Sequence, residues 1–581
     1  MFRFCLLPAL LLSGISLNFI HAQTPCDRAN ARTVLDANNA RVNLSHLSYF
    51  WTKIDTQFGD PDNFEMSAGY EIPKLPEGSG NDVHSIFSGG FWIGALDKDD
   101  SIRLSRTIYE YEIENFWAGP LNSNGKTDLS ICNAYDKYWE TSDTEVQKQI
   151  NNYRFSNYQD IPLANIPESV LKWPARGNPY AKGKNGQSIT INEELAPFVD
   201  VDSNGVYNPV KGDFPDIRGD QHIFWVFNDK GDTSHPFFDH NPLGIEIHAN
   251  AYAYSSNNTA IDNATYYSFK FLAKDTIELR EMNIGIFVDI DLGCFNNDFV
   301  GCDTSRDMGI GYNGTATDPD CASKGYGANP PITGIKILKG PKDNNGDRMG
   351  MSVFKYYNGD FSVMGTPSSK EDLYNYIRGF WKDNTTQTIG GNGYGGNVPT
   401  NFMFSGNPAN PNEWSECSEN NTPADRRFIM SVGPMDFMPG EVKTMDIAVV
   451  WTRPDSFHCG DFNSTIGAAA DQVQAFCDSV IDVPKEVPVV SSINENMKGD
   501  PFSVFPNPFD QNIRVQVNKP IENAHLTLLD ISGKSLKSHT FSNLDTQIEI
   551  QTSEIPPCIY FLNLFENGKS VGVKKLIKTE P

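Results

Sequence analysis

The sequence predicts a mainly β protein: a large β-rich ectodomain, stabilised by disulfides and calcium, followed by a small C-terminal β-sandwich. Three observations predict it. Apolar and polar residues alternate along short runs, as where Tyr267, Phe269 and Phe271 are separated by Ser268 and Lys270, which is the two-residue period of a half-buried strand. Ile284, Ile286 and Val288 keep the same rhythm. Aromatic residues, which favour strands, make up 12% of the chain, and 47 glycines and 36 prolines break it into short strands joined by elaborate loops.

At the N-terminus, Arg3 precedes the apolar run Cys5 to Leu12, and a weaker apolar stretch ends at Ala22. These are the parts of a secretory signal over residues 1–22, with cleavage expected after Ala22. The apolar run is shorter than the ~20 residues that span a bilayer. No other long uncharged apolar run follows, so the mature chain is expected to have no transmembrane segment, in keeping with a mean hydropathy of -0.42.

The formal charge of -26 sits on the ectodomain, because residues 501–581 hold as many basic as acidic side chains. Such a surface repels phosphate backbones and favours cations, which excludes nucleic acid as a partner. Acidic residues also serve solubility. Once Cys5 leaves with the expected signal, eight cysteines (Cys26, Cys132, Cys294, Cys302, Cys321, Cys417, Cys459 and Cys477) precede residue 483. In an exported chain they read as up to four disulfides, and Cys294–Cys302 and Cys459–Cys477 are the local pairings expected. No CxxC pair occurs, which argues against a zinc-thiolate site.

Within the ectodomain, residues 23–483, the clearest chemical motif runs from Asp200 to Asn208. Asp200, Asp202 and Asn204 alternate as ligands 1, 3 and 5 of a calcium loop, Gly205 provides the sharp turn, and the Val206 carbonyl falls at position 7. Position 12 is Lys211, so Asp213 or Asp216 must supply the closing carboxylate. A calcium-free turn built from Asp and Asn side chains is the alternative. Asp289, Asp291 and Asp298, with Asp303 beyond Cys302, form a second acidic cluster that suits another calcium or a solvated loop. Asp343 to Asp347 reads as a turn. Ser464 to Ser479 is the main predicted helix, with Ser464 as cap and Ile466, Ala470, Val473 and Cys477 on one face.

No catalytic residue is assigned, since the chain has no GxSxG, HExxH or GxxxxGK[ST] motif. His222, His235, His240 and His248 cluster in sequence, but nothing fixes their geometry. Trp92, Trp117 and Trp225 are expected to be core residues, or stacking surfaces for sugars if exposed.

Prolines at 484 and 488 and a polar stretch to Asp500 mark a linker over residues 484–500. Beyond it Ile513, Val515 and Val517 alternate with Arg514 and Gln516, and Asn567-Gly568 joins two β-rich runs as a hairpin turn. Val504 to Phe509 with Pro506, Asn507 and Pro508, the turn Asp530 to Gly533, the Ile559-Tyr560-Phe561 strand, and Lys574-Lys575-Leu576 follow in order. Residues 501–581 thereby resemble the type A C-terminal sorting domain of the type IX secretion system of Bacteroidetes. The resemblance implies recognition by the type IX machinery, cleavage of the tail, and release or attachment at the cell surface. Cys558 departs from the family, where Gly usually precedes the Tyr strand.

The ectodomain also resembles a group of large Bacteroidetes cell-surface proteins that share this tail. The likeness rests on Gly90-Phe91-Trp92-Ile93-Gly94, Phe116 to Leu121, Leu195 to Asp200, Trp225 to Asp229 and Asp289 to Gly293. No activity carries over from that group. The functional expectation is an exported surface or secreted protein whose ectodomain binds an extracellular glycan or protein; the alternative is a secreted hydrolase acting on polysaccharide or protein.

Overall fold

The structure is a computed structural model, and it describes residues 31–481 and 502–579 apart from 46, 57–63, 77–78, 81, 108–114, 157, 232–240, 457, 531–534, 545, 557 and 568. The expected signal and linker, together with Cys26, His235, His240 and Gly533, lie outside the described residues. Strands take up 41% and helices 14% of the chain, and it forms two compact units divided between Val487 and Pro488.

The first unit is built on two antiparallel sheets. The labelled strands are β1 (Ser88–Leu96), β2 (Ile102–Arg106), β3 (Trp117–Ala118), β4 (Trp139–Ser142), β5 (Gln221–Asn228), β6 (Ile245–Ala253) and β7 (Thr265–Ala273). They continue with β8 (Leu279–Ile290), β9 (Asp298–Asp303), β10 (Met308–Asn313), β11 (Ile332–Lys339), β12 (Val353–Tyr357), β13 (Arg426–Phe437) and β14 (Val442–Thr452). One sheet has nine strands in the order β4-β5-β6-β7-β14-β11-β10-β9, with β3 also paired to β5; the other has five, β12-β13-β8-β1-β2.

Residues from both sheets share one apolar core, which is why their inward positions are large and uncharged. Tyr267, Phe269 and Phe271 of β7 enter it at every second residue, and Phe91 of β1 meets Phe269 edge-on at 4.7 Å. Trp51, fully buried, joins them and donates its indole N–H to the Tyr267 hydroxyl at 3.0 Å.

Helical segments cover the outer faces. Helix α1 (Asp143–Phe155), capped by the Ser142 hydroxyl, belongs to the insertion between β4 and β5, whose Trp173, Tyr207 and Phe214 bury Phe224 and Val226. Helix α2 (Lys370–Ile377) lies against the five-stranded sheet so closely that a Cβ on Gly94 or Gly285 would come within 2.9 Å of the Ile377 side chain. Helix α3 (Ala468–Phe476), flanked by π-helical turns, buries Ile466, Ala470, Val473 and Cys477 against Tyr266, Ala448 and Val450. Its start departs from expectation: Asp461, not Ser464, accepts the free N–H groups of Asn463 and Ser464, each at 3.1 Å. A carboxylate suits the positive end of a helix better than a hydroxyl.

The second unit stacks a three-stranded sheet on a four-stranded one. Its strands are β15 (Phe502–Phe505), β16 (Asn512–Val517), β17 (Ile521–Leu529), β18 (Ser535–Leu544), β19 (Gln547–Gln551), β20 (Ile559–Glu566) and β21 (Lys569–Ile577). The sheet orders are β15-β16-β19 and β18-β17-β20-β21. Ile513, Val515 and Val517 point inward toward Leu526, Leu528, Leu562 and Leu564, while Arg514 and Gln516 are exposed.

Candidate metal centres and the export domain

The chain after Val199 turns sharply at Ser203 and Gly205, whose φ angles are 57° and 77°. Asp200 accepts the Asn204 N–H at 3.2 Å and the Gly205 N–H at 2.5 Å, and Asn204 accepts the Val206 N–H at 2.8 Å. Asp213 is fully buried and reaches back into the turn, accepting from Val201 at 2.8 Å and Asn208 at 2.7 Å. One oxygen each from Asp200, Asp202 and Asp213 lie within 4.8 Å of one another. Burial pushes the Asp213 carboxyl up to about 6; the two backbone donors oppose this, and the charges of Asp200 and Asp202 add to it. Lys211 turns away to pair with Asp160 at 2.5 Å. The donor set is all oxygen and already crowded with negative charge, which fits calcium.

The second acidic cluster forms where β8 leaves the five-stranded sheet. Asp289 faces Arg427 in the antiparallel register of β8 and β13, whose last pair is Ile290 with Arg426. Asp289, Asp291 and Asp425 each place a carboxylate oxygen within 4.8 Å of the others. Asp298, at the start of β9 in the other sheet, bridges to Ala424 through the backbone. Burial, followed by neighbouring carboxylates, pushes Asp291 and Asp298 well above the usual carboxylate range. Asp425 was not foreseen from sequence, because strand pairing brings it from a distant segment. Asp303 does not join the cluster; it pairs with Arg306 at 2.7 Å.

The remaining expectations fare differently. Among the described residues, Cys294 is bonded to Cys321 and Cys417 to Cys459, so the two short-range pairings do not form. Cys302 is a buried thiol because its position on β9 faces the inter-sheet core, and Cys477 is a buried thiol because it lies on the packed face of the C-terminal helix. Cys132 is disulfide-bonded. Trp92, Trp117 and Trp225 are buried, as strand positions facing apolar cores require, and offer no stacking surface. His222 and His248 sit opposite Tyr252 and Val226 on β5 and β6, and they bind different partners, Asn250 and Glu246. Asp343 accepts from Asn345 and Asp347 in a plain turn.

In the second unit, Asn507, flanked by Pro506 and Pro508, donates to the Lys575 carbonyl and accepts from the Ile577 N–H, both at 2.8 Å. Tyr560 is buried and donates to the Pro556 carbonyl. Lys574 lies 5.9 Å from the Phe502 ring centroid, and Lys575 pairs with Phe561 across β21 and β20. The motif residues from both ends of the unit therefore meet on its last strand. Residues 503–579 match the family described as Secretion system C-terminal sorting domain. The chain carries a type IX secretion sorting domain. This sorting domain destines the chain for export to the cell surface or the medium and implies contact with the secretion machinery. Cys558 of the sorting domain is an exposed thiol, so the departure at that position leaves the strand in place.

No curated protein matches the chain. A polysaccharide lyase is similar at 8% identity over 59% of this chain and 35% of that one, with a TM-score of 0.19. The BSP domain of a biofilm-associated protein is similar at 8% identity over 62% and 60%, with a TM-score of 0.12. The chain thus spans about a third of the lyase, and scores this low carry no argument about activity. Among the described residues no helix is long and apolar enough to cross a membrane.

Proposed function

We propose that the exported ectodomain is a binding module for an extracellular glycan or protein, held rigid by calcium in the Asp200–Asp213 loop. The observation that carries the calcium is the convergence of three carboxylates on a turn whose backbone already has the left-handed residues such a loop needs. Asp200, Asp202 and Asp213 would hold the ion, and the ion would supply the positive charge that their proximity demands. The binding role is supported by aromatic side chains on loops, where a scaffold of sheets presents them to solvent. Tyr394 is exposed, its hydroxyl is fixed by Asp383 at 2.8 Å, and Phe361 is 90% exposed at the tip of another loop.

Thermal unfolding of the intact chain with excess calcium and with chelator tests the clamp. A native-state ligand present at about 100 times its Kd stabilises by about 2.7 kcal/mol, and Asp202→Asn is expected to remove that gain. Equal unfolding temperatures in the two conditions reject the clamp. A glycan array and a cell-adhesion assay, each comparing the wild type with Tyr394→Ala, test the binding role; no binding by the wild type in either rejects it.

A further inference from the structure

We propose that residues 384–414, between α2 and β13, form the binding face for an uncharged glycan chain, with Tyr394 and Trp414 as its stacking residues. This rests on the reading of the ectodomain as a binding module and names what the module takes. In a chain of net charge -26, residues 384–412 contain no Asp, Glu, Lys, Arg or His. What they expose instead is hydroxyls and amides, at Thr385, Thr386, Asn392, Asn397 and Asn401, around the glycine-rich run 390–396.

The run is fixed in place. The Thr388 N–H donates to the Gly393 carbonyl at 2.9 Å and the Ile389 N–H to the Val398 carbonyl at 2.8 Å, closing the loop at its base. The Gly396 N–H donates to the Thr388 hydroxyl at 2.9 Å. Buried Trp381 donates its indole N–H to the Gly393 carbonyl at 3.1 Å, and the Lys355 amine in turn lies 3.2 Å from the centre of the Trp381 ring. The glycines divide accordingly: a Cβ on Gly393 would lie 2.2 Å from the Met403 side chain, whereas one on Gly390, Gly391 or Gly395 would meet nothing within 4 Å. Three backbone positions therefore stand open with no side chain over them, which lets a ligand come close to the peptide groups.

Two aromatic rings belong to the same surface. Tyr394 is 41% exposed and held at both ends: its ring meets that of Trp381 edge-on, 6.2 Å between centres, and its hydroxyl donates to Asp383 at 2.8 Å. Half-buried Trp414 packs on Phe404 at 5.0 Å and donates its indole N–H to the Gly391 carbonyl at 3.4 Å. Rings fixed in advance lose little freedom on binding. A sugar ring matches them, because it offers an apolar C–H face for stacking and hydroxyls that both donate to and accept from amides. An acidic glycan does not. The charges that bound the segment are Lys382, Asp383 and Glu413; the Lys382 amine is engaged by the Thr366 carbonyl at 3.1 Å, and the two carboxylates repel an anion. A protein partner would require a contiguous apolar centre, whereas Ile389, Tyr394 and Val398 are single exposed apolar side chains among polar ones.

Binding of the intact chain to an array of neutral and acidic glycans, followed by titration of the best neutral one at low and high salt, tests the site. The expected result is binding to neutral glycans, an affinity that salt leaves unchanged, and a loss of roughly tenfold or more in Tyr394→Ala and in Trp414→Ala. Tyr394→Phe keeps the ring and is expected to keep most of the affinity; equal losses in Tyr394→Phe and Tyr394→Ala overturn the stacking role. An affinity that falls as salt rises overturns the uncharged ligand. Neutral glycans bound equally by the wild type and both alanine variants, or binding to acidic glycans alone, overturn the site and leave a binding module that works elsewhere. Cell adhesion by the wild type with no neutral glycan bound rejects the glycan and leaves a protein ligand, whereas no binding in either assay rejects this site and the binding module together.

Discussion

The ectodomain and the sorting domain are both pairs of antiparallel sheets packed face to face, yet they treat charge in opposite ways. The sorting domain balances its charges and closes over a core of Phe, Ile, Val, Leu, Ala and Tyr. The ectodomain is strongly acidic and buries ionisable groups, among them Glu416, Asp298 and Lys355, each fully enclosed. An apolar core needs nothing further, whereas every buried charge needs a partner. The difference teaches where to look for specific chemistry: in the unit whose folding depends on partners.

The largest effect that sharpens this contrast is expected at Glu416, which is completely buried, pairs with Arg426 at 2.8 Å and accepts the Val300 N–H at 2.8 Å. Arg426→Met leaves its charge unpaired and is expected to destabilise the ectodomain by about 3–5 kcal/mol. Calorimetry should show the sorting domain's transition unmoved, and a shift in both transitions breaks the comparison. Next in size, Cys417→Ser/Cys459→Ser opens a loop spanning 42 residues and is expected to cost the ectodomain about 2–4 kcal/mol by chemical denaturation. The sorting domain has no cross-link among its described residues, so a reductant should lower the stability of the ectodomain alone.

The sheets were legible in sequence because their signal is local: alternation at Tyr267–Phe271 and Ile513–Val517 needs no knowledge of the partner strand. The Asp200 loop was legible for the same reason, since its carboxylates lie within a short stretch. Asp425 and the disulfide partners Cys321 and Cys417 were not, because each is decided by which distant segments meet in the fold. Asp425-Arg426-Arg427 ahead of an apolar strand was the one available sign, a charge cluster in a place where strands are usually uncharged.

Two smaller tests follow. Burial lowers His84 from 6.5 to about 4, so the folded ectodomain holds its imidazole neutral. Between those values the unfolded chain binds more protons than the folded one, so this contribution to stability is present above about pH 6.5 and is lost as the pH falls toward 4. His84→Gln should flatten that part of the stability curve, measured by urea unfolding at several pH values, and an unchanged slope would show that other groups govern it. In the sorting domain, Asn507→Ala removes two hydrogen bonds to β21 and is expected to cost about 1–2 kcal/mol of that unit alone. Secretion of the variant, compared with the wild type, reports whether this contact matters to export as well as to stability.

The Asn507 contact has a bearing on synthesis. The Pro-Asn-Pro segment is held against Lys575 and Ile577, and Phe509 is bonded to Ile577 and Thr579 as well, at 2.8 and 2.9 Å. The opening motif of the export domain therefore takes its shape only after the ribosome has finished the closing strand. A chain cut short before Lys575 would lack the groups that hold Asn507 and Phe509, and its opening segment would lose this support.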